Sequence, residues 1–111
     1  MENQEPDGWR YVIIWEFRVR EGTEERFEDA YGPAGEWARL FLQDDSYIRT
    51  ELIRDFKERG AYLTLDFWVS KKAYDEFREK HLAEYKAIDQ KCEALTESER
   101  EIGSFTRVTG N

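Results

Sequence analysis

Asp66 and Trp68 share one face of a short apolar segment with Tyr62 and Thr64, in the run Tyr62-Leu-Thr-Leu-Asp-Phe-Trp68. A carboxyl group among aromatic side chains resists ionisation, because burial disfavours its charged form. Such a group can anchor a ligand hydroxyl or act as a general base. The structural alternative is that Asp66 pairs with Arg49 or Arg10, or sits near solvent. His81, the single histidine, falls on an apolar helical stripe. It can be a base near neutral pH or one axial haem ligand, and otherwise it is a satisfied helix residue. Tyr31, Trp37, Tyr74 and Tyr85 either fill the core or line a flat pocket for an aromatic ligand. In the pocket reading Trp68 and Tyr74 orient the ligand, Thr64 adds a polar contact, and Asp66 or His81 moves the proton. Cys92 reads as a small buried hydrophobe, since a cysteine nucleophile needs a neighbouring base.

One His and one Cys in 111 residues exclude most metal sites. A structural zinc takes four ligands, and a catalytic one takes about three. The sequence has no GxGxxG and no GxxxxGK[ST] loop, so no nucleotide cofactor is expected. Haem, through His81, and a flavin held without a phosphate loop are the cofactors left open. The 17 Lys and Arg stand against 25 Asp and Glu, for a net charge of -8. That balance argues against nucleic acid and against anionic membranes as partners. The longest apolar run, Tyr11 to Trp15, falls short of the ~20 residues of a spanning helix. The acidic N-terminus resembles neither a signal nor a transit peptide, and a cytoplasmic protein is expected.

The elements that must position these groups follow from periodicity. Residues 1–8 read as a disordered acidic tail and 9–109 as one domain. Trp9 to Arg20 alternates aromatic or apolar residues with others, as a strand does, and its start is apolar on both faces. Thr23 is a candidate cap for a helix carrying Phe27, Ala30, Tyr31, Ala38 and Phe41, interrupted at Gly32-Pro33-Ala34-Gly35. Tyr47 to Phe56 and Ala61 to Val69 read as two strands joined by a turn ending at Gly60. Ser70 opens a long helix, continuous or broken once, with a stripe through Ala73, Phe77, His81, Tyr85, Ile88, Cys92 and Leu95. Thr96 to Glu99 reads as a capping box opening a short turn, and Ser104 to Thr109 as a last strand.

The order strand, helix, strand, strand, helix, strand predicts an α+β, ferredoxin-like βαββαβ fold. Its four-stranded antiparallel sheet carries both helices on one face. The other face keeps apolar residues from the first and third strands, and a patch of that kind marks an interface. A homodimer formed by sheet-to-sheet packing is expected.

Tyr11-Val-Ile-Ile-Trp-Glu-Phe-Arg-Val-Arg-Glu-Gly22, then Phe27 and Trp37, resembles the start of the antibiotic biosynthesis monooxygenase domain. Tyr62 to Ser70, then Tyr74 and Phe77, is similar to its third strand and second helix. The resemblance spans about residues 9 to 109 and implies a dimeric α+β barrel. It also implies oxygenation of small aromatic, polyketide-like substrates without metal or prosthetic group, or, in related members, haem degradation. Trp68 and Tyr74 match the oxygenase pattern. The Asn which that pattern places four residues before the tryptophan is Thr64 here, and Phe77 stands where members often carry a His. Besides the enzyme, the same residues admit a non-catalytic ligand-binding or assembly module.

Overall fold

The structure is a computed structural model, and it describes residues 8–108. The predicted acidic tail lies outside the described residues except for Gly8, as does position 109. β1 (Tyr11–Val19) leads to α1 (Glu24–Tyr31) and α2 (Glu36–Phe41), then β2 (Tyr47–Arg54) and β3 (Ala61–Trp68). α3 (Lys71–Lys80) and α4 (Leu82–Cys92) follow, then one 3-10 turn (Glu93–Leu95) and β4 (Thr96–Thr106). The sheet order is β2-β3-β1-β4, with every neighbouring pair antiparallel. This is the ferredoxin-like arrangement expected from the order of elements.

β1 is central because it can be buried on both faces. Tyr11, Ile13, Phe17 and Val19 pack into the core with Phe27, Tyr31, Trp37 and Phe41 from the first two helices. Val12 is buried on the opposite face. On that outer face Trp9 meets Phe67 edge-on at 4.9 Å, and the Arg49 guanidinium lies 4.2 Å over the same ring. Ile53 and Phe105 remain largely exposed there, opposite Leu63 and Val12 in the register.

The interruption at residues 32–35 separates α1 from α2. A Cβ at Gly35 would collide with the backbone carbonyls of Asp29 and Ala30, so only glycine lets the chain fold back this tightly. Thr23 occupies the cap position of α1 without capping it. Its hydroxyl instead donates to the carbonyls of Arg20 (2.8 Å) and Leu95 (3.0 Å), tying the start of α1 to the end of the last helical turn. Ser70 does cap α3, accepting from the Ala73 N–H at 3.1 Å.

The long second helix carries the single break that the sequence allowed, at His81, whose φ of -112° and ψ of 28° leave the helical region. Two expectations change. The capping box at Thr96 is not a turn: β4 begins there, eight residues before the expected Ser104, and pairs along all of β1. The segment hides because it is an edge strand whose exposed residues are charged, a common guard against edge pairing. β2 ends at Arg54, leaving Phe56 fully exposed beyond it.

Candidate functional site

Strand register builds the site. Thr64 lies opposite Trp15 of β1, and Asp66 lies opposite Ile13 of β1 and Thr50 of β2. All five side chains therefore point under the helices. Above them Tyr31, Trp37, Phe41 and Tyr85 close over a cavity of about 150 Å³. Trp15 and Phe17 complete its aromatic wall, while Thr50, Thr64, Asp66, Arg78, Asp89 and Glu99 supply its polar lining. Tyr85 packs edge-on against Trp37 at 4.8 Å, and the Arg78 guanidinium covers Tyr85 at 4.8 Å.

Asp66 has no arginine partner here. Arg49 sits over Phe67 on the outer face, and Arg10 shares that outward parity. The Asp66 carboxyl instead accepts a hydrogen bond of 2.6 Å from the Thr50 hydroxyl. Thr50 has one proton and commits it to Asp66. The 2.7 Å contact between Tyr47 Oη and Thr50 Oγ1 is therefore donated by Tyr47, giving a chain Tyr47 to Thr50 to Asp66. Burial pushes the Asp66 carboxyl up to about 6, and the Thr50 bond pulls partly against it. Asp66 still touches the cavity and keeps a minor share of its surface open to it. The surroundings of that surface, rather than the small accessible area itself, decide the shift.

The neighbouring groups shift the same way. Burial holds the Tyr31 and Tyr85 phenols above their ordinary value. Glu99 is raised by burial and then by the charges of Asp89 and Glu93. Burial pushes the Tyr47 phenol up to about 12, so it remains a donor at neutral pH. Trp37 Nε1 is buried with no hydrogen-bond partner; it acts on the Tyr31 phenol only at longer range.

Of the residues singled out from sequence, Thr64, Asp66, Trp37, Tyr31 and Tyr85 meet in this one cavity. Trp68, Tyr74 and His81 do not line it. Trp68 is fully buried behind Phe41, Tyr47 and Tyr74, and its Nε1 also lacks a partner. Tyr74 packs against Tyr11 and Trp68. His81 stacks on Phe77 at 4.4 Å, and its Nδ1 lies 2.7 Å from Glu84 Oε1 at the junction of α3 and α4. A haem macrocycle does not fit a cavity of this volume, and His81 does not line it. Cys92 is buried beside Tyr31, its thiol raised chiefly by burial. Among the described residues no group of three His, Cys, Asp or Glu side chains could hold a metal ion. No described helix is long and apolar enough to cross a membrane.

The family profile described as antibiotic biosynthesis monooxygenase matches residues 10–91. The chain belongs to this family. No curated protein sequence matches it. Among solved structures, it is similar to SnoaB, a cofactor-independent oxygenase from Streptomyces nogalater. The identity is 20% and the TM-score 0.68, over 92% of this chain and 96% of that one. Protein SO0527 from Shewanella oneidensis is 21% identical with a TM-score of 0.65, over 90% and 92% of the two chains. A dimeric ferredoxin-like protein from an uncultured marine organism is 14% identical with a TM-score of 0.66, over 95% and 93%. At these identities the likeness carries the fold.

Within the monooxygenase family fold, sequence reasoning missed Thr50 and Glu99 as cavity residues. Thr50 shares the parity of Leu52 and was legible as inward-facing. Glu99 was hidden by the misread start of β4.

The raised Asp66 carboxyl has a stability consequence. The unfolded chain loses this proton near its ordinary value of 3.8, the native chain only near 6. Between those pH values the native state binds more protons, so its stability falls as pH rises. The loss is complete above about 6 and is on the order of 2–3 kcal/mol. Urea unfolding of wild type and Asp66→Asn from pH 4 to pH 8 will show the variant gaining relative stability across that window. A difference independent of pH would refute the shift.

Proposed function

We propose that this chain is a cofactor-independent monooxygenase acting on a small hydroxylated aromatic molecule, held between the sheet and the helices, with Asp66 as its base. The observation that carries the reading is the Asp66 carboxyl, held by Thr50 beneath an aromatic wall, while the other two carboxylates of the lining, Asp89 and Glu99, are exposed at its rim. Family membership and the description of SnoaB support it.

Asp66 as carboxylate takes the phenolic proton of the ligand. The electron pair delocalises onto a ring carbon, which bonds to O2 and forms a peroxide anion that Asp66 reprotonates. Asp66 then removes the hydrogen of that ring carbon as a proton, and the O–O bond breaks. One oxygen stays as a quinone carbonyl, and the departing hydroxide takes the proton back from Asp66 as water. A phenol and O2 thus give a quinone and water, with the substrate supplying all the electrons. Aromatic walls exclude water from the carbanion, and Tyr31, Trp37 and Tyr85 stack on the ring. Thr64 contacts a ligand oxygen. Trp68 and Tyr74 shape the site from behind Phe41.

Oxygen uptake with a panel of hydroquinones and anthrone tests the reading. General-base catalysis contributes typically about 10²–10⁴-fold, so Asp66→Asn lowers uptake at least about 10²-fold. The wild-type rate rises with pH through the range where Asp66 ionises, because only the carboxylate accepts the proton. Trp68→Phe, outside the cavity, keeps most of the rate. A second reading, a non-catalytic ligand-binding or assembly module, is favoured by the absence of Trp68, Tyr74 and His81 from the lining. Binding without uptake across the panel decides for it.

The outer sheet face is proposed as the dimer interface. Ile14, Leu63 and Leu65 are half-buried there and Ile53 and Phe105 exposed, a patch that two-fold sheet packing covers. Sedimentation at micromolar concentration will give twice the 13.3 kDa chain mass; a monomer contradicts the interface.

A further inference from the structure

Resting on the oxygenase or binding reading of this cavity, we propose that its ligand is an uncharged single-ring phenol, and that polycyclic and carboxylated aromatics are excluded. The size limit comes from the cavity volume of about 150 Å³. An apolar protein cavity of about 150 Å³ takes up benzene, whereas sites for drug-sized molecules run from about 300 Å³ upward. On the Tyr31 and Trp37 side a small rotamer change does not raise the ceiling. Tyr31 is stacked on Phe27 at 4.3 Å and touches Phe17 at 4.8 Å, while Trp37 is wedged between Phe41 and Tyr85.

The charge limit comes from the polar lining. Asp66, Asp89 and Glu99 face the cavity against one cation, Arg78. Arg78 is already placed over the Tyr85 ring at 4.8 Å, at the exposed rim rather than at the floor. An anionic ligand would meet an excess of carboxylates, Asp66 at the floor and the exposed Asp89 and Glu99 at the rim, and like charges repel. A neutral phenol instead places its hydroxyl at Asp66 and its ring on the aromatic wall. Asp89 already repels the Glu99 carboxylate at the rim, and a bound anion would add to that repulsion.

Equilibrium dialysis under nitrogen separates binding from turnover. Hydroquinone, 4-hydroxybenzoate and anthrone are the probes, with the full chain. Hydroquinone binds at least 10-fold more tightly than either of the others. Glu99→Gln tightens 4-hydroxybenzoate at least 3-fold relative to hydroquinone. Tyr85→Ala, which opens the wall, admits anthrone. Each variant is checked for wild-type circular dichroism, and Tyr85→Phe serves as the size-conserving control that still rejects anthrone. Equal or tighter binding of anthrone or 4-hydroxybenzoate by the wild type overturns the inference, and so does the failure of all three to bind. Hydroquinone selectivity without oxygen uptake would leave this inference standing and remove the oxygenase reading alone.

Discussion

The pairing of β1 with β3 decides what this protein can do. Tyr11 opposite Trp68, Ile13 opposite Asp66, Trp15 opposite Thr64 and Phe17 opposite Tyr62 form one continuous inner wall. Side chains alternate with a period of two, so a slip of one residue would exchange that wall for Leu63, Leu65 and Phe67. The helices would then cover an apolar face without a carboxyl, and Asp66 would meet water. Aromatic packing fixes the register: Phe27 and Phe77 are among the most deeply buried side chains, and Phe27 touches both Phe17 and Tyr62.

Against that background Asp66 is the costly residue. An aliphatic side chain would suit its place beside Ile13, and a buried carboxyl with a single donor lowers stability at neutral pH. The surrounding structure tolerates it by two means. Thr50 supplies a hydrogen bond that favours the charged form, and Tyr47 holds Thr50 in the donating orientation. A stability cost retained in a cavity wall is the usual mark of a functional group.

Much of this was legible in the residues. The alternation in Trp9 to Arg20 and in Ala61 to Val69 separated the two faces of the sheet, without saying which one the helices cover. It placed Thr64 and Asp66 together, and the Gly-Pro-Ala-Gly run marked the division between α1 and α2. What stayed hidden had physical causes. β4 pairs through its backbone while its side chains are mostly charged and exposed, so no apolar pattern betrayed it. The break at His81 carries no Gly or Pro. A stripe at spacings of three and four runs through it unbroken, although the His81 backbone leaves the helical region there. Trp68 shares its parity with Asp66, yet Phe41 of α2 covers it, a long-range contact that strand alternation does not encode.

The central claim is that a single buried carboxyl, Asp66, titrates close to neutral pH inside an aromatic cavity. Carbon-13 NMR of the aspartate side-chain carboxyls, with the Asp66 resonance assigned by its loss in Asp66→Asn, measures this directly. The account predicts a midpoint near 6 for Asp66. A midpoint at the ordinary value of 3.8 would contradict it, since the carboxyl would then be solvated and the cavity would lack the base assigned to it.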